Sequence, residues 1–86
     1  MTTQVRQFIV DALREMNYDV DDVTDETPLG ATGLDLESLG IAELGLRVED
    51  EYGVRFDDDD TEKMAVMTLG EFSADVAGRA SAKAGS

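Results

Sequence analysis

Apolar residues recur at spacings of three and four along the first stretch of the chain: Val5, Phe8, Ile9, Ala12, Leu13 and Met16. That spacing draws one face of an amphipathic helix, predicted from Thr3 to Met16 and closed by Asn17. The period then breaks. Tyr18 to Ala31 mixes Asp, Thr and Gly with the only proline, Pro28, and reads as a long connection in which Val20, Val23 and Leu29 turn inward. A second helix is predicted from Ser38 to Tyr52, stopped by Gly53. A short third one runs through Glu62, Lys63 and Met64, its positive end complemented by Asp57 to Asp60. A last helix runs from Leu69 to Arg79, with Leu69, Phe72, Val76 and Ala80 on one face. The sequence shows no useful strand alternation and no internal repeat. The expected fold is all-α, a small four-helix bundle of three longer helices and one short helix with a long first loop. A single domain is expected over residues 1–80, followed by a flexible tail over 81–86.

The second helix carries two apolar faces. At about 100° per residue, Ile41, Leu44, Gly45, Val48 and Tyr52 fall together and form a core stripe. Leu39, Ala42 and Leu46 fall on the opposite side, where a surface helix is normally polar, with Glu43 and Asp50 beside them and Glu49 and Arg47 at the edges. One reading is an acid-rimmed apolar strip that docks basic partners. The other is ordinary surface leucines, or leucines covered by the long first loop. Gly45, on the core stripe, either lets helices approach closely or leaves room for a guest.

Charge changes this picture most. Twenty Asp and Glu stand against seven Lys and Arg, a formal net charge of −13 on 86 residues. Self-repulsion destabilises so small a body, and salt relieves it. The surface is a poor match for nucleic acid or an anionic membrane, because a phosphate backbone is bound by Lys and Arg. Basic proteins are the expected partners. One small domain buries only about 60% of the surface its unfolded chain exposes, and the core relies on aliphatic residues, with aromatics at 6%. No apolar run approaches the roughly 20 residues a membrane span needs, and no signal peptide is evident. A soluble, monomeric, cytoplasmic protein is expected.

The chain holds neither Cys nor His. A serine nucleophile normally needs a base within hydrogen-bond reach, most often His. Lys63 and Lys83 are the only lysines, and nothing places either beside Ser38, so Ser38 is not expected to act as a catalytic nucleophile and the protein is not expected to be an enzyme. The acidic runs fail as a calcium-binding EF-hand: counted from Asp19, the sixth position is Thr24 instead of Gly. No metal site is assigned, although loose divalent binding to the carboxylates stays open. For Ser38 itself two roles remain on spacing. It caps the second helix, a role for which Asp35 competes, or it lies in the first turn with its hydroxyl outward.

The run Leu34-Asp35-Leu36-Glu37-Ser38-Leu39 resembles the Leu-Gly-x-Asp-Ser-Leu motif of the acyl carrier protein family. These are four-helix carriers of fatty acid and polyketide synthesis, related to peptidyl carriers of nonribosomal synthesis. Thr27-Pro28-Leu29, Ile41-Ala42-Glu43-Leu44, Glu49-Asp50-Glu51-Tyr52 and "TEKMAVMTLGEF" follow in the family's order, so the resemblance covers nearly the whole chain. It implies a 4′-phosphopantetheine arm, taken from coenzyme A by a phosphopantetheinyl transferase and attached to Ser38, with Glu37 and Leu39 beside it. The arm's thiol carries an acyl group as a thioester, which accounts for a chain without Cys or His. The second helix, through Leu39, Ala42, Glu43, Leu46, Glu49 and Asp50, becomes the recognition surface for the transferase and for acyl transferases, ketosynthases or other synthase enzymes.

The resemblance therefore implies a free-standing acyl carrier, with acyl carriage favoured over peptidyl or aminoacyl carriage and polyketide or related specialised metabolism favoured over housekeeping fatty acid synthesis. The alternative from another class is a noncatalytic acidic interaction module in which Ser38 only caps. Three positions depart from the family pattern: Glu37 where Asp is usual, Asp35 where Gly is usual, and Arg47, a cation on an acidic helix that narrows the choice of partner.

Overall fold

A computed structural model describes residues 2–30 and 33–84. Four helices follow one another: α1 (Thr2–Glu15), α2 (Ser38–Tyr52), α3 (Asp58–Met64) and α4 (Leu69–Ala84). Among the described residues there is no strand, and the one ladder-like contact is an isolated antiparallel bridge between Pro28 and Thr68. The small all-α bundle agrees with the apolar periodicity.

Each helix turns one stripe inward. Val5, Ile9 and Leu13 of α1 meet Ile41, Leu44 and Val48 of α2, Met64 of α3, and Leu69, Phe72 and Val76 of α4 in one core. α1 makes its broadest contact with α4 and a narrower one with α2, while α3 leans on α2. Burying side chains of this size contributes about 1.5–3 kcal/mol each. The first loop belongs to that core as well, since Val20, Leu29, Leu34 and Leu36 are buried and Val23 is half-buried.

Helix ends follow local chemistry. α1 stops where Asn17 takes a left-handed φ of 72°, and α2 where Gly53 does the same at 68°, a conformation that suits Gly and, less readily, Asn. α3 opens on a capping box. The Asp57 carboxylate accepts from the Asp60 N–H at 3.0 Å, and the Asp60 carboxylate accepts from the Asp57 N–H at 3.1 Å. α4 runs to Ala84, beyond the Arg79 end expected from the sequence. Ser81 to Ala84 continue the helix, in keeping with the helix propensity of Ala and Lys over a stretch that holds neither Gly nor Pro. Ala31 of the expected loop and Gly85 and Ser86 of the expected tail lie outside the described residues.

Candidate functional site

Ser38 is the first residue of α2, and the loop before it is fixed by backbone hydrogen bonds. The N–H groups of Leu34, Asp35 and Leu36 donate to the carbonyls of Pro28, Gly30 and Leu29 at 2.9, 2.8 and 3.0 Å. The same loop is tied to the start of α4. Leu29 N–H donates to the Met67 carbonyl at 2.9 Å, Leu69 N–H to the Thr27 carbonyl at 2.8 Å, and Gly70 N–H to the Asp25 carbonyl at 2.8 Å. A Cβ on Gly33 would collide with the backbone of Pro28, so this fold of the loop needs a glycine there. These backbone bonds hold the entrance to α2 against the bundle.

Neither capping role expected from the sequence is realised. The N-cap is Glu37, in extended conformation and without a side-chain cap bond. Asp35 lies two residues upstream in a left-handed turn with φ 59°, and the buried Leu36 between them points the chain inward, which takes Asp35 away from the helix start. Left-handed backbone suits Gly best, and Asp is among the few side chains that tolerate it.

Ser38 is exposed, and its side chain makes no hydrogen bond among the described residues. The first intrahelical bond runs from Ile41 N–H to the Glu37 carbonyl at 2.9 Å. The N–H groups of Ser38, Leu39 and Gly40 are therefore left without intrahelical acceptors, at the positive end of the helix. An anionic group attached to the Ser38 hydroxyl would sit close to them.

The outward face of α2 is as its periodicity suggests. Leu39 is 80% and Leu46 64% exposed, and Ala42, Glu43 and Asp50 are exposed with them. The first loop does not cover them. Glu49 behaves differently from the rim acid expected: half-buried, its carboxylate accepts from the Phe56 N–H at 2.7 Å and anchors the segment after α2. Val66, 80% exposed in the α3–α4 turn, is an apolar surface residue that periodicity did not single out.

Between α2 and α3 lies a groove of about 220 Å³, lined by Ile41, Ala42, Gly45, Leu46, Phe56 and Met64 among others. A Cβ on Gly45 would meet Met64 and Phe56 at an ordinary 3.7 Å. The missing side chain thus leaves space, and does not serve close helix approach. Ala42 is one turn from Ser38, so the groove begins next to the serine. Its α3 wall is clasped from behind by Arg79 of α4, which donates to Asp60 at 3.0 and 3.3 Å, to Asp75 at 2.8 Å and to the Arg55 carbonyl at 2.9 Å. The guanidinium also stacks 4.8 Å from the centre of the Phe56 ring. The hydrogen bond from Arg79, and next that from the Asp57 N–H, hold the Asp60 carboxyl below its usual range, while the same carboxylate pushes Arg79 further up. Sequence reasoning missed this clasp. Its one legible trace was Asp57-x-x-Asp60, the spacing of a capping box.

No group of His, Cys, Asp and Glu suited to hold a metal ion occurs among the described residues, and no described helix is long and apolar enough to cross a membrane.

The fold and site together describe a small acidic helical domain that presents a serine at a helix start instead of enclosing a reaction centre. A model of the phosphopantetheine attachment site family matches residues 4–76, and the chain belongs to that family. Searches of curated proteins and of solved structures return no match. The family's domain is the site of covalently attached 4′-phosphopantetheine, so the chain is a phosphopantetheine carrier that works with a phosphopantetheinyl transferase and with synthase enzymes.

Proposed function

We propose that Ser38 bears the phosphopantetheine arm and that the chain presents acyl or polyketide-type intermediates to partner enzymes without performing their chemistry. The observation that carries this reading is the state of Ser38: exposed and without a side-chain hydrogen bond among the described residues, at the start of a helix tied to the bundle and within the stretch that matches the family. When bound, the arm supplies a thiol that holds cargo as a thioester. The chain's own residues orient and position. The free N–H groups of the first α2 turn would hold the phosphodiester, with Glu37 and Leu39 as its neighbours in the chain, and Leu39, Ala42, Leu46, Glu43 and Asp50 would form the surface a basic partner meets. Glu49 contributes indirectly, by holding the segment at Phe56.

Acyl carriage is preferred over peptidyl or aminoacyl carriage because of the acidic α2 and the family motif, and the departures at Glu37 and Asp35 favour a dedicated biosynthetic pathway. A cytoplasmic monomer fits this role. The test is intact mass after incubation with coenzyme A and a broad-specificity phosphopantetheinyl transferase. A mass gain by the arm, absent in Ser38→Ala, is expected. No gain with several competent transferases would favour the acidic interaction module instead.

A further inference from the structure

Arg47 lies on the outward side of α2, towards α1, and it bridges two helices. Its guanidinium donates to Glu15 of α1 at 3.0 Å and to Glu43, one turn earlier on α2, at 3.3 Å. Both carboxylates are exposed, at 71% and 52% of their side chains, so the pairs lie at the surface, where they add little to folding. Their effect is on the charge that a partner meets. Glu43 is the acid beside the apolar strip in the half of α2 nearest Ser38, and Arg47, shared between it and Glu15, offsets part of their charge. Asp50 has no ion pair among the described residues, and it stands about 18 Å beyond Ser38 along the helix axis. On the α1 side of the docking face Arg47 thus weakens the negative potential, while Asp50 at the far end of α2 and Glu37 beside Ser38 keep their charges unpaired among the described residues.

We propose that Arg47 is a specificity-determining residue: it selects partners whose basic patch meets the Asp50 end of α2 and whose surface opposite Arg47 is uncharged or acidic, and it disfavours partners that are basic along the whole face. The proposal rests on the reading that α2 is the docking surface for the transferase. Removing Arg47 frees two carboxylates and makes the face acidic throughout, so a broadly basic partner binds more tightly. Replacing it with Lys keeps the positive charge and with it the discrimination.

The test is direct binding of the unmodified protein to a broad-specificity phosphopantetheinyl transferase, followed by fluorescence anisotropy at low salt and near 1 M salt, with the circular dichroism melt of each variant alongside. Arg47→Ala should bind roughly threefold or more tighter at low salt, an electrostatic gain of the size that charge complementarity gives. The gain should vanish near 1 M salt, where the screening length falls to about 3 Å, and Arg47→Lys should behave as the wild type. Equal or weaker binding by Arg47→Ala, a gain that survives high salt, an equal gain in Arg47→Lys, or no binding by any variant would each overturn the proposal. The assignment of Ser38 is read separately by the mass gain of the wild type, so failure of one is distinct from failure of the other.

Discussion

Arg79 of α4 and Asp60 of α3 face each other through two contacts, at 3.0 and 3.3 Å, across 19 residues of sequence, and Asp60 also closes the capping box of α3. One carboxylate therefore both starts the short helix and fastens it to the long one. Because Arg79 and the Asp57 N–H favour the charged form, Asp60 titrates below its ordinary value in the folded chain. For a depressed carboxyl the contribution to stability is full above the unfolded value, near 3.9, and is lost as pH falls through the folded one. Asp60→Asn retains an acceptor for the capping box and removes the charge. It should melt lower than the wild type at pH 7, and the difference should shrink at pH 3. A difference in melting temperature that stays constant between those pH values would show that the charge of Asp60 does not fasten α3.

Ser38→Ala separates a tether from a cap by stability alone. Loss of a capping serine costs about 0.5–2 kcal/mol, whereas replacing an exposed side chain without partners stays within about 0.5 kcal/mol. Since about 1 kcal/mol moves the melting point of a domain this small by about 4–8 °C, the melt of Ser38→Ala should lie within about 4 °C of the wild type. A larger fall would restore the capping role.

Asp35 holds a left-handed φ of 59°, which disfavours most L-residues by about 1–2 kcal/mol. Asp35→Ala should therefore destabilise by about 1 kcal/mol. Asp35→Gly, relieved of the Cβ but with a freer unfolded chain, should stay within about 0.5 kcal/mol of the wild type. Chemical denaturation of the three proteins checks the order, and an alanine variant as stable as the wild type would rule out left-handed strain at this position.

The features legible in the sequence are those set by local periodicity and backbone chemistry. The limits of α2 followed from its apolar stripe and Gly53, and the outward Leu39 and Leu46 from a second stripe that no core could use. Other features depend on how helices are rotated against one another, which spacing along one helix does not encode. Arg47 reaches Glu15 across 32 residues and Arg79 reaches Asp60 across 19. Which of the two roles open to Ser38 is realised was hidden, because the choice follows from a left-handed turn at Asp35 and an inward Leu36, a path that composition does not reveal. Small, polar residues suggested a loose tail over 81–86, but the helix propensity of Ala and Lys carries α4 to Ala84.

Leu46 tests whether the second stripe is a docking surface or ordinary exposed hydrocarbon. At 64% exposed it contributes little to the core, so Leu46→Ser should leave stability within about 0.5 kcal/mol. In a bound complex the same side chain would be desolvated on the strip it shares with Leu39, and losing the burial of a largely exposed leucine costs on the order of 1–2 kcal/mol of binding, or about five- to thirtyfold in affinity. Modification of Leu46→Ser by a phosphopantetheinyl transferase should therefore show a raised KM with kcat little changed, since the serine and its helix entrance are untouched. Leu39→Ser, on the same strip, should raise KM as well. Wild-type KM values for both variants, with unchanged melting, would mean that the stripe is exposed hydrocarbon without a partner in this reaction.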